Sequence, residues 1–240
     1  MNILAIGNSF SQDATRYLHQ VAKSAGVYLE VFNLEIGGCP LSKHFRNIKG
    51  ANKAYSFEFN GANTGFLMSI NEVVLSRDWD YITIQQVSTQ SPKYETYQPY
   101  LNFCVDFLRE NCPKAKILLQ QVWSYENGSV PLTNWTKYKD TDEMFCDTKA
   151  SYDKALEASG ADGLIRSGEV MLELMHRGFK VHRDGFHASL GLARYAIALT
   201  WFATVTGRDV DTVTFKDFDE PVTEEEIAAA KAAVKKVLGK

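Results

Sequence analysis

The sequence predicts an α/β fold, a three-layer α/β/α sandwich built on a central, mostly parallel sheet of five strands, with residues 1–240 forming a single domain. Three observations predict it. Short β-branched runs alternate with longer stretches of helical period, as in a parallel sheet covered by helices on both faces. Small or polar residues follow the ends of several of those runs, where ligands collect in open α/β sheets. Finally, 240 residues of which 45% are hydrophobic can build one large core without a disulfide or a metal.

Taken in order, Ile3-Leu4-Ala5-Ile6 reads as a buried first strand. After a polar turn, Tyr17, Leu18, Val21, Ala22 and Ala25 recur at helical spacing until Gly26 ends the helix. Residues 27–36 form a second strand ending at Gly37-Gly38-Cys39-Pro40, and residues 79–86 a third. Between them, residues 55–59 followed by Asn60-Gly61 predict an inserted hairpin. A helix over 100–108 leads to a strand over 116–122, and a helix over 151–159 to a short fifth strand at Gly163-Leu164-Ile165. Crossovers of this length are parallel and right-handed. Residues 188–206 form a strongly apolar helix, and Thr223-Glu224-Glu225-Glu226 is a capping box that opens an amphipathic C-terminal helix.

Charge and cysteine usage narrow the function. With 26 Lys and Arg against 29 Asp and Glu, the net charge of −3 leaves no basic excess for a phosphate backbone, so nucleic acid is not an expected partner. The apolar runs fall far short of the roughly 20 residues a membrane span requires. A strand begins almost at Met1, so neither an anchor nor a signal peptide is expected and the cytoplasm is the expected compartment. Cys39, Cys104, Cys112 and Cys146 show no C-x-x-C spacing and read as packing residues of a reduced chain.

Three strand ends carry unusual chemistry. After the first comes Gly7-Asn8-Ser9-Phe10-Ser11, which puts a hydroxyl at a helix start whose dipole favours developing negative charge. After the second comes Gly37-Gly38, where backbone N–H groups can approach a ligand closely. After the third comes Gln85-Gln86-Val87-Ser88, with side-chain amide donors. A fourth segment, Arg183-Asp184-Gly185-Phe186-His187, spaces Asp and His so that the carboxylate orients the imidazole while its other nitrogen takes a proton from a serine. A nucleophile, a base, an orienting acid and oxyanion donors are thus all present.

These four segments, in this order across nearly the whole chain, resemble the four sequence blocks of the SGNH (GDSL-like) hydrolases, and Trp79-Asp80 with Asp184-Gly185-Phe186-His187-Ala188-Ser189 is similar to a little-characterised bacterial branch of them. The resemblance implies the flavodoxin-like SGNH fold, Ser9 as nucleophile, His187 as general base and Asp184 as its partner. It implies an oxyanion hole from the N–H groups of Ser9 and Gly38, completed in the wider superfamily by an Asn that this chain lacks. Gln85 or Gln86 could supply that amide, and Ser88 is a further candidate. Asn8 stands where Asp is common.

Other patterns carry less. Ser151-x-x-Lys154 fits an acyl-enzyme motif but reads as a surface helix. His176, His182 and His187 are spaced for no shared helical face, so no metal is expected. His19 and His44 read as helix-surface residues, and no phosphate-binding glycine motif occurs. Trp123 and Tyr125, after the fourth strand, are candidate substrate-binding residues. The 125–140 segment, with Trp135 and Tyr138, reads as a rim over the pocket on which a sugar ring could stack.

The expectation is therefore a cofactor-free serine esterase cleaving short acyl esters through an acyl-enzyme on Ser9, with an acetylated sugar as the favoured small-molecule substrate. The alternative is a non-catalytic module binding a carbohydrate or small acyl ligand on the same fold.

Overall fold

The computed structural model describes residues 1–239. The chain opens with β1 (Asn2–Gly7), α1 (Ser9–Thr15), α2 (Leu18–Ser24) and β2 (Glu30–Glu35). Ile3, Leu4 and Ala5 are fully buried because β1 is the middle of the sheet, covered on both faces. The single helix expected before Gly26 is two, broken around Arg16 and Tyr17. There follow α3 (Leu41–Gly50), β3 (Tyr55–Phe59), β4 (Ala62–Met68), α4 (Ile70–Val74) and β5 (Tyr81–Ile84). The hairpin turn sits where expected, with Asn60 and Gly61 both at positive φ (51° and 82°).

The second half runs α5 (Tyr100–Asn111), β6 (Lys116–Gln120), α6 (Thr141–Ser159), β7 (Gly163–Ile165), α7 (Ser167–His176), α8 (Leu192–Thr206) and α9 (Glu224–Leu238). The helix expected over 151–159 begins ten residues earlier, at Thr141, because Asp140 caps it through the Glu143 N–H at 2.8 Å. Thr223 and Glu226 form the expected capping box, each accepting the other's backbone N–H. The segment before α6 contains one π-helical turn, Pro131–Thr136.

Five strands are parallel, but the sheet has seven, in the order β4-β3-β2-β1-β5-β6-β7. The two extra strands are the hairpin, which pairs antiparallel with the free edge of β2 rather than standing apart. Helices α1, α2, α7, α8 and α9 pack as one layer and α3 to α6 as the other. In this order the connections reverse direction at β1, so the crevice beyond the carboxyl ends of β1 and β5 is the natural ligand site.

Two side-chain expectations are corrected. His44 is fully buried, not on a helix surface, with Nδ1 2.9 Å from the Tyr55 hydroxyl, and burial pushes its pKa down to about 3. Cys146 is exposed, unlike the other three cysteines.

Candidate active site

Asn8 caps α1 by accepting the Phe10 N–H at 3.1 Å, which sets Ser9 as the first helical residue directly beyond β1. The same side chain donates to the Cys39 carbonyl at 3.1 Å. One asparagine thus ties the serine turn to the Gly37-Gly38 loop after β2. Gly38 has φ +60° with nothing near the position a Cβ would take, so it is glycine for its backbone conformation and not for space. Among the described residues, the N–H groups of Ser9 and Gly38 donate to no protein acceptor.

The loop between α7 and α8 supplies the imidazole. Asp184 Oδ2 lies 2.7 Å from His187 Nδ1, while Asp184 Oδ1 accepts the backbone N–H groups of His187 at 2.8 Å and Phe186 at 3.3 Å. The three-residue spacing is what lets one carboxylate hold both the ring and its backbone. A carboxylate only accepts, so Nδ1 carries the proton and Nε2 is left to accept from Ser9 Oγ, 2.9 Å away. Partial burial pushes the Asp184 carboxyl up, but the hydrogen bonds from His187 and Phe186 outweigh it and hold the group below the usual carboxylate value.

Three anchors hold this loop, the first two of them against α1. Asp13, 0% exposed, accepts Arg183 Nη1 at 2.9 and 3.0 Å, Arg194 Nε at 2.8 Å and the Ala188 N–H at 3.2 Å. Trp123 donates its indole N–H to the Phe186 carbonyl at 2.8 Å and stacks on Phe10 with ring centroids 4.2 Å apart. His182 pairs with Ala188 across a β-bridge, its Nε2 3.0 Å from the Ser124 carbonyl. Asp13 was legible in principle: it falls among Phe10, Ala14 and Tyr17 on an apolar helical face, and a buried carboxylate there requires a cationic partner.

Ser9, Gly38 and His187 open onto a cavity of about 420 Å³ walled by Val87, Ser88, Tyr125, Trp135 and Phe186. Tyr125 and Ser88 hydrogen-bond across it through their hydroxyls at 2.8 Å. Trp135, on the π-helical turn, is 53% exposed and packs edge-on against Phe186 at 5.1 Å.

Three candidates fall outside the cavity lining. Gln85 donates to Asn8 Oδ1 at 2.9 Å. Gln86 donates to the Thr96 carbonyl at 3.0 Å and accepts the Leu41 N–H at 3.0 Å. Both amides therefore fasten neighbouring loops. Trp123 is 0% exposed, and its surface is used up by Phe10 and the Phe186 carbonyl. Of the other histidines, His176 pairs with Asp142 at 2.7 Å, apart from His182 and His187.

The sequence of residues 2–236 matches the family model described as "Domain of unknown function (DUF4886)". The chain belongs to the DUF4886 family. A DUF4886 family protein from Bacteroides uniformis is 30% identical, with a TM-score of 0.91 over 99% of this chain and 94% of that one. Beyond the family, SGNH hydrolases and GDSL-like lipases share the fold of this DUF4886 chain. An acetyl xylan esterase is 11% identical with a TM-score of 0.59, over 85% of this chain and all (100%) of that one. A GDSL-like lipase from Bacteroides thetaiotaomicron is 10% identical with a TM-score of 0.51, over 86% and 88%. No curated protein matches the chain by sequence. Among the described residues of this DUF4886 protein, no helix is long and apolar enough to cross a membrane.

Proposed function

We propose that this protein is a serine esterase that hydrolyses short acyl esters, with O-acetyl groups on carbohydrates as the favoured substrates. The observation that carries the reading is the unbroken chain from Ser9 Oγ to His187 Nε2 at 2.9 Å and from His187 Nδ1 to Asp184 Oδ2 at 2.7 Å. Ser9 Oγ adds to the ester carbonyl carbon as its proton passes to His187, and the carbonyl electron pair moves onto oxygen beside the N–H groups of Ser9 and Gly38. Collapse of that intermediate breaks the bond to the alcohol, which leaves with the proton from His187. Water then attacks the acyl-serine by the same route, with His187 taking its proton and returning it to Ser9.

The substrate class rests on two features. The cavity of about 420 Å³ is walled mostly by apolar side chains and suits a small acyl group. The half-exposed indole of Trp135 at its mouth offers a flat face to a sugar ring. An acetyl xylan esterase among the proteins of this fold supports the same class.

Hydrolysis of p-nitrophenyl acetate, butyrate and octanoate by the wild type beside Ser9→Ala and His187→Ala tests the reading. Saturable turnover that favours acetate and falls by about 10³-fold or more in Ser9→Ala is expected. A slow, non-saturating rate shared by wild type and Ser9→Ala would favour the binding-module alternative.

A further inference from the structure

An acyl-transfer site gains most from donors aimed at the developing oxyanion. With Gln85 and Gln86 both occupied between loops, the segment after β5 still brings two polar side chains to the cavity wall, Thr89 and Ser88, and of these Ser88 is the one bonded to another residue of the wall, Tyr125, at 2.8 Å. Two hydroxyls carry two protons. One lies between the two oxygens, and the other has no acceptor among the described residues.

Burial decides which group keeps the spare proton. Tyr125 is 0% exposed and its hydroxyl has no neighbour to donate to except Ser88 Oγ, whereas Ser88 retains 4% exposure. Burial also pushes the Tyr125 phenol up to about 12, outweighing the opposing pull of the hydrogen bond with Ser88, so it remains a donor at neutral pH. The Ser88 O–H is then free to point into the cavity, its rotor set and its dipole strengthened by the bond it accepts.

We propose that Ser88 Oγ–H is the third oxyanion donor of this site, beside the N–H groups of Ser9 and Gly38, and that Tyr125 is the positioning residue that aims it. The inference rests on the esterase reading. Ser88 donates a hydrogen bond to the oxygen that receives the carbonyl electron pair and keeps its proton throughout.

The test uses the full chain and the variants Ser88→Ala, Tyr125→Phe and their double. The readouts are steady-state hydrolysis of p-nitrophenyl acetate, labelling of Ser9 by a fluorophosphonate followed by intact mass, and Tm. Ser88→Ala is expected to lower kcat by about 10²-fold with KM within about threefold of wild type. Tyr125→Phe is expected to lower kcat about tenfold and to add nothing further in the Ser88→Ala background, because it acts through that hydroxyl.

A Ser88→Ala kcat within about threefold of wild type, a loss carried by KM alone, or additive losses in the double variant would overturn the assignment. Should Ser88→Ala fail to fold, Tyr125→Phe decides, and wild-type kcat in it would overturn the proposal. Fluorophosphonate labelling that does not depend on Ser9 would bring down the esterase reading together with this one. Ser9-dependent labelling with undiminished turnover in the variants brings down the hydroxyl pair alone.

Discussion

Asp13 on α1 holds Arg183, the residue immediately before Asp184, through both carboxylate oxygens at 2.9 and 3.0 Å. The helix that begins with Ser9 is in this way bound directly to the loop that carries His187. Arg194 from α8 completes the cluster at 2.8 Å and reaches Asp219 at 2.9 Å on its other side. Alignment of the serine with the imidazole is therefore maintained by a buried ion cluster four residues along the same helix.

Because Asp13 is wholly buried, Asp13→Asn leaves Arg183 without a counter-charge and Arg194 with Asp219 alone, and breaking a buried pair costs about 3–5 kcal/mol. Urea unfolding should show a loss of that order, together with lower kcat on p-nitrophenyl acetate from the loosened loop. A loss below about 1 kcal/mol would mean that the cluster is not a structural anchor.

Trp123→Phe keeps an aromatic ring against Phe10 but removes the N–H that holds the Phe186 carbonyl. We expect about 1–2 kcal/mol less stability, from the lost hydrogen bond and the unfilled part of the indole site. KM for p-nitrophenyl acetate should stay near wild type, since the indole is not on the cavity wall. A large rise in KM with unchanged kcat would return Trp123 to the substrate.

Gly38→Ala forces an alanine to φ +60°, a conformation that costs an L-residue about 1–2 kcal/mol. The added methyl meets nothing, so strain is the whole effect, and any relaxation of the turn re-aims the Gly38 N–H. The expected signature is modest destabilisation in thermal unfolding with a kcat loss of about tenfold or more. Unchanged kcat would remove Gly38 from the proposed oxyanion site.

Burial holds the pKa of His182 down to about 4 and that of His44 to about 3, against about 6.5 in the unfolded chain. Below pH 6.5 the unfolded state therefore binds more protons than the folded one, so stability is full above that pH and falls as the pH drops towards 4. For His182 alone the span corresponds to at most about 3 kcal/mol. Tm measured from pH 7.5 to 4.5 should fall steadily in wild type and less steeply in His182→Gln. Equal slopes would show that His182 does not contribute.

Much of this molecule is legible locally. The first strand, the Asn60-Gly61 turn and the Thr223 capping box each follow from a few neighbouring residues, and all three stand where the pattern puts them. The Asp184 to His187 arrangement is local as well, because a carboxylate three residues upstream can hold both the ring and the backbone. What escaped was α3, α4 and α7, and the start of α6, where a lone Asp140 decides the boundary. His44 looked like a surface residue because its partner, Tyr55, comes from the hairpin.

By itself, then, the sequence determined the alternation of strands and helices and the four segments in which chemistry could reside, since hydrophobic period and turn geometry are short-range properties. Only the tertiary structure decided which side chains meet. It set Ser9 against His187 across 178 residues, spent Gln85 and Gln86 on bracing loops, buried Trp123 behind the loop it anchors, and left Ser88 and Tyr125 on the cavity wall. The reason is physical: the partner of a polar side chain is whichever donor or acceptor packing brings within about 3 Å, and for Ser9, Gln85, Trp123 and Ser88 that partner lies far away in sequence.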